Sequence, residues 1–232
     1  MKNLKVFTVG LAFLTAVGSF SSCATKQGTG SLIGAGGGAV LGGIIGQIIG
    51  HDAKSTAIGA AIGGAVGSGT GALIGRHMDK VAAQAAQIEN AKVEEVTDAN
   101  GLKAVKVTFD SGLLFDTNKA TLKAASKNDL AKFSKVLKDN SDVYVDVYGH
   151  TDSTGNDGIN IPLSNNRASS VVSYLKNCGV SAGQFKTVEG KGSSDPVADN
   201  GTKAGRQQNR RVEVYLYASE AMVKAAENGT LK

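Results

Sequence analysis

Asp152 and Arg167 stand 15 residues apart in a chain of 232. Asp152 comes just after an alternating apolar segment, and Arg167 falls on the apolar side of a helical pattern, where Leu163, Arg167 and Val171 recur every fourth residue. An arginine at the inner edge of a helix needs an anion or a partner, because a charge taken from water without one is costly. Two arrangements satisfy that need. Asp152 and Arg167 can brace each other in a structural salt bridge, or both can face a cleft and share a ligand that carries an ammonium and a carboxylate. In the second case the guanidinium grips a carboxylate through two parallel hydrogen bonds, a geometry that lysine cannot reproduce.

Covalent chemistry finds little support in the same region. His150, Thr151, Asp152 and Ser153 are consecutive, and neighbours on an extended segment point to opposite faces, so they make a poor Ser-His-Asp set. The three histidines, His51, His77 and His150, lie in separate segments and lack metal-ligand spacing. His150 reads as a hydrogen-bonded residue at the core edge. Cys178 lies in Lys-Asn-Cys-Gly at a helix end and reads as a small, half-buried residue. The expectation is a binding module and not an enzyme, with no cofactor and no metal.

The elements around these residues alternate between the two periods. Val105, Val107 and Phe109 alternate with polar residues, as do Val143, Val145 and Val147, and Val212, Val214 and Leu216; each is a half-buried strand. Phe185 to Glu189 is a shorter one. Leu122, Leu130, Phe133, Val136 and Leu137 sit at helical spacing. A second helix is expected from Ile161 to Asn177, with Asn160 as N-cap, Pro162 in the first turn and Gly179 as the stop. Strands alternating with amphipathic helices predict an α/β two-layer sandwich over 101–220, followed by a tail at 221–232, with a short helix possible from Ala218 to Asn228.

Four motifs carry a resemblance. They are Phe115-Asp116-Thr117-Asn118-Lys119, Gly149-His150-Thr151-Asp152-Ser153-Thr154-Gly155, Asn160-Ile161-Pro162-Leu163-Ser164-Asn165-Asn166-Arg167-Ala168 and Gly205-Arg206-Gln207-Gln208-Asn209-Arg210-Arg211-Val212. In this order they resemble the OmpA-like peptidoglycan-binding domain, shared by the OmpA tail, the Pal lipoprotein and flagellar stator proteins. The resemblance implies that the domain holds the diaminopimelate of the wall stem peptide, Asp152 meeting its ammonium and Arg167 its carboxylate. It implies that Thr117, Asn118, Asn160, Leu163 and Arg210 line the same groove. Arg206, Arg210 and Arg211 are all candidates for the ligand, and two of them can equally brace the loop against Asp116 or Asp152.

The first hundred residues differ in character. Most of the 31 glycines precede residue 76. Lys2 and Lys5 open a short apolar run, Val6 to Phe20, which is a secretory-signal pattern too short for a typical membrane span. Ser21-Ser22-Cys23 resembles a lipoprotein processing site, predicting a signal peptide at 1–22 and a lipidated tether at 23–29 that starts at Cys23. The alternative is an ordinary cleaved signal. Ala24 is not the acidic residue that retains lipoproteins in the inner membrane, so the resemblance implies the outer membrane, with the protein facing the periplasm.

Between 30 and 76, glycines recur every fourth residue in two series, 30 to 50 and 59 to 75, around the polar break His51 to Thr56. This is the pattern of a glycine-zipper two-helix hairpin, in which the small residues let helices approach closely in lipid; the alternative is a flexible spacer. Residues 77–100 are rich in Ala, Gln, Glu and Lys and read as a solvated helical linker, about 25–30 Å long at 1.5 Å per residue. The net charge of +5 is spread out and does not argue for nucleic acid. The expected partners are therefore peptidoglycan, outer-membrane lipid and, through the zipper, a second copy of the chain. Two functions fit: a lipoprotein that tethers the envelope to its wall, or an oligomeric membrane assembly, pore or stator-like, that the wall domain anchors.

Overall fold

The computed structural model describes residues 68–98 and 100–231. The signal peptide, Cys23, the tether and most of the glycine zipper lie outside the described residues. Within them the order is α1 (Ser68–Ala85), β1 (Ala91–Thr97), β2 (Lys103–Asp110), α2 (Ser111–Leu114), α3 (Ala124–Asp139), β3 (Val143–Gly149), α4 (Asp157–Asn177), a 3-10 turn (Ala182–Gln184), β4 (Phe185–Gly190), α5 (Lys203–Asn209), β5 (Arg211–Ala218) and α6 (Glu220–Glu227). The strands form one sheet in the order β1-β2-β5-β3-β4. Only β3 and β4 run parallel, joined through α4.

The alternating residues of the three expected strands do what their period requires. Val105, Val107, Phe109, Val143, Val145, Val147, Val212, Val214 and Leu216 are buried in one core with apolar residues of α1, α3, α4 and α6. Phe109 and Phe133 meet edge to face at 5.5 Å. The other face of the sheet carries tyrosines, with edge-to-face pairs between Tyr144 and Tyr217 and between Tyr148 and Tyr215. This is the α/β two-layer sandwich.

Three boundaries differ from the expectation. Residues 77–100 are not a solvated linker. α1 runs across position 76, and its stripe of Ile74, Met78, Val81 and Ala85, continued by Ile88, is buried in the main core. Then comes the edge strand β1, whose Val93 pairs with Val107 and whose Glu94 pairs with Lys106. The stripe looks thin because Ala82 and Ala85 are part of it, and small residues are what a helix needs to lie close on a sheet. The turn at Asp98 to Gly101 is a hairpin: the Asp98 carboxylate accepts from the Asn100 and Leu102 amides at 2.8 and 2.9 Å. The C-terminal residues are not a tail either, since Met222, Val223 and Ala226 of α6 join the core.

The helix expected at Ile161 begins earlier. Asn156 occupies the N-cap and Pro162 lies inside α4. Asn160 instead uses its amide to hold the preceding loop, donating to the Thr154 carbonyl at 3.1 Å and the Asp152 carbonyl at 3.4 Å. Gly179, at φ +91°, ends the helix as expected. Leu122, expected on the same helix as Leu130 and Phe133, precedes α3 and bridges to Phe115. α4 lies very close to the ends of β3 and β4. A Cβ on Gly149 would stand 2.2 Å from the Ser164 carbonyl oxygen, and one on Gly190 would stand 2.2 Å from the Asn165 amide nitrogen. These two glycines let the helix that carries Arg167 descend onto the strand that delivers Asp152.

Candidate binding groove

Asp152 lies three residues beyond the end of β3, and Arg167 lies in the middle of α4. Both line a groove of about 540 Å3. All seven residues expected at the site line it: Thr117, Asn118, Asp152, Asn160, Leu163, Arg167 and Arg210. The loop 116–121 forms one wall, closed at its base by the Phe115–Leu122 bridge. Asn118 there adopts φ 55°, a conformation that asparagine tolerates better than most side chains.

The salt bridge left open between Asp152 and Arg167 does not form. Asp152 pairs with Arg210, whose Nη1 donates to its Oδ2. The other carboxylate oxygen accepts from the Thr154 amide at 2.9 Å. Burial pushes the Asp152 carboxyl up, but the Arg210 and Thr154 hydrogen bonds outweigh it and hold the group below the usual carboxylate range. Asp152 is therefore an anion at neutral pH. Of the two roles open to Arg210, the structure shows the brace.

Arg167 is only 4% exposed. Its Nε donates to the Lys119 carbonyl at 3.1 Å, and its guanidinium lies 5.3 Å from the centre of the Phe115 ring. Its Nη1 is buried without a hydrogen-bond partner. Burial lowers the pKa of Arg167, the Arg210 charge lowers it further, and Asp152 opposes both. An arginine remains protonated under such shifts. The groove thus holds a fixed cation with unused donor capacity and a fixed anion. Phe115 was not among the residues expected at the site, although it opens the first motif; its ring is the platform that orients Arg167.

The last motif is largely a scaffold, in which Arg206, Gln207, Asn209, Arg210 and Arg211 each have their own partner. Arg206 donates to the carbonyls of Asn200 and Gly201 at 2.8 and 3.2 Å. Gln207 donates to Asp110 at 2.9 Å. Asn209 accepts from the Val197 and Ala198 amides and donates to the Asn200 side chain at 2.8 Å. Asn200 in turn accepts from the Ser153 amide at 3.2 Å. Through these links α5 sets the loop that flanks Asp152. Arg211 is buried and serves Glu213 at 2.7 Å and the Asp195 carbonyl at 3.0 Å.

His150 is buried behind this loop, 3.5 Å from Glu213, and neither ring nitrogen makes a hydrogen bond. The expected hydrogen bond is therefore replaced by a looser contact. Burial pushes the His150 pKa down, with Glu213 pulling the other way. Arg206, one of the three arginines the last motif offered, also lines the groove, as do Gln207, Ile159 and Lys123; nothing in the sequence singled out these last three as site residues, because their place follows from chain segments that meet only in the fold.

Comparison with known proteins agrees with this geometry. Residues 114–210 match the model of the OmpA family, and residues 1–86 match the model described as YMGG-like Gly-zipper. The chain is 36% identical over 149 residues to the probable lipoprotein YiaD of Escherichia coli K12, covering 62% of this chain and 64% of that one. It is 40% identical over 113 residues to the peptidoglycan-binding protein ArfA of Mycobacterium tuberculosis H37Rv, covering 49% of this chain and 34% of the other. It thus spans about a third to two thirds of the length of these curated relatives. A crystal structure of a putative MotB-like protein from Desulfovibrio vulgaris shares the fold, with a TM-score of 0.54 at 20% identity over 65% of this chain and 96% of that one.

Proposed function

We infer that this chain, which carries an OmpA-family domain over residues 114–210 behind a YMGG-like Gly-zipper segment, is an outer-membrane lipoprotein that holds peptidoglycan non-covalently. The ligand group is the diaminopimelate of the stem peptide. Its free ammonium and carboxylate meet Asp152 and Arg167, and the aliphatic chain between them lies along Leu163. The observation that carries this reading is the buried Arg167 Nη1 without a partner, in the same groove as an Asp152 held ionised. The similarity to the peptidoglycan-binding protein ArfA supports the wall polymer as the ligand. The similarity to the probable lipoprotein YiaD supports the anchor at Cys23. The module binds without covalent chemistry: Asp152 is committed to Arg210 as an anion, which suits it to charge pairing and not to proton transfer.

The test is co-sedimentation of the full chain with purified sacculi containing diaminopimelate. Charge-assisted hydrogen bonds contribute about 1.5–3 kcal/mol each, so Asp152→Ala or Arg167→Ala should weaken binding by roughly one to two powers of ten while leaving the thermal midpoint within a few degrees. Arg167→Lys should recover only part of the loss, because the bidentate geometry is gone. Folded variants that sediment as well as wild type would defeat the reading. For the anchor, Cys23→Ala should abolish incorporation of labelled palmitate; continued labelling would place any acyl chain elsewhere.

A further inference from the structure

A second groove, of about 610 Å3, opens on the tyrosine-bearing face of the sheet beside the first, bounded by β1, β2, the start of β5 and the end of α5. The two share one side chain. Gln207 lines both, and its amide donates to Asp110 of the second groove at 2.9 Å. Asp110 is followed directly by Ser111 and Gly112, which line the first groove. Asp110 thus stands between the grooves, bonded to Gln207 and to the Gly112 amide.

Their electrostatics differ. The first groove gathers Lys123, Arg167, Arg206 and Arg210 against Asp116 and Asp152, an excess of two positive charges. In the second, all three cations are already committed: Lys92 and Lys106 to Glu94 at 3.0 and 2.7 Å, and Arg211 to Glu213 at 2.7 Å. What it offers a ligand is the exposed amide of Gln208, the hydroxyl of Thr108 and the side chain of Val197, which is 56% exposed. Its spare charge is negative, from Glu89 and Asp110, so it has nothing to recruit a second carboxylate, and its polar surface suits a ligand rich in hydroxyls and amides.

We propose that this second groove takes the neutral N-acetylated glycan strand to which the anchored peptide is attached. The inference rests on the peptidoglycan reading of the first groove. A stem peptide is tethered, and two residues separate its diamino acid from the sugar. At about 3.3–3.6 Å per extended residue, that spacer has the reach to pass over the Gln207–Asp110 contact.

The experiment uses the full chain in detergent and two probes: the free stem tripeptide, and the same tripeptide on its disaccharide. One or two additional hydrogen bonds, at about 0.5–1.5 kcal/mol each, predict that the disaccharide tripeptide binds roughly tenfold more tightly. Gln208→Ala combined with Val197→Asp changes only exposed side chains; it should erase that gain and leave tripeptide affinity unchanged. If the tripeptide binds but the sugar adds nothing, or the gain survives the double variant, the glycan site is wrong and the stem-peptide site stands. If the double variant weakens both probes equally, its residues act on the first groove and the glycan site is again wrong. Failure of wild type to bind the tripeptide at all would overturn the proposed function itself.

Discussion

Asp152 is ion-paired with Arg210, 58 positions away in the chain, while Arg167 keeps a buried Nη1 without a partner. The two charges that face the ligand are thus prepared differently. One is held ionised by a neighbour, and the other is left with unused donor capacity.

Removing Arg210 should therefore change the pH range of binding. The folded pKa of Asp152 is depressed, so its charge is present at neutral pH and is lost only as pH falls through that depressed value. Arg210→Gln takes away the ionic hydrogen bond, and the carboxyl moves back up. Retention on sacculi, followed from pH 7 downward, should then fail at a less acidic pH than in wild type. Superimposable profiles would show that Arg210 does not tune Asp152.

Met78 is fully buried in α1, within the segment expected to be a solvated linker. Met78→Ala should destabilise the domain by about 2–5 kcal/mol, seen as a lower urea midpoint. A chain beginning at residue 101 would lose both α1 and β1 and uncover part of the core face, so it should unfold at much lower denaturant than one beginning at 68. Equal midpoints would return 77–100 to the role of a spacer.

Gly190 admits no side chain, since the clash would be with the α4 backbone and not with a flexible tip. Gly190→Ala should cost about 1–3 kcal/mol by overpacking and shift α4, reducing sacculus binding even at temperatures where the variant is folded. Gly75→Ala is the control. It points into open space on α1 and should be neutral or stabilising by up to about 1 kcal/mol.

Asp146 is buried where the β3–β4 register shifts. Its Oδ1 accepts from the Thr187 amide at 2.9 Å and from the Tyr217 hydroxyl at 3.3 Å, while Oδ2 has no partner. Burial pushes the carboxyl up to about 6, against the pull of those hydrogen bonds and of Lys186. A folded pKa above the unfolded 3.8 means that the native state holds this proton more tightly. The carboxylate thus costs stability above pH 6, and the cost vanishes as pH falls toward 4. A displacement of that size corresponds to about 3 kcal/mol. Asp146→Asn should gain on wild type in urea midpoint at pH 7.5 compared with pH 4.5. Parallel pH curves for the two proteins would disprove the assignment.

Sequence alone determined the three main strands, because a sheet with one face on a core imposes a period of two that Val105, Val143, Val212 and their neighbours display. It also exposed Arg167, since a guanidinium interrupting an apolar stripe is visible without coordinates. Tertiary structure decided which partner each charge takes. Asp152 had Arg167, Arg206, Arg210 and Arg211 as candidates, and chain order says nothing of which one α5 brings within reach. It also decided the start of α4: the sequence pointed to Asn160 as the cap, but the Asp152 loop takes the Asn160 amide and the helix is capped at Asn156. The stripe on α1 was legible as amphipathic but not as core. A hydrophobic period states that a face seeks cover, while the surface that covers it is assembled only in the fold, from β1, β2, α3 and the C-terminal α6.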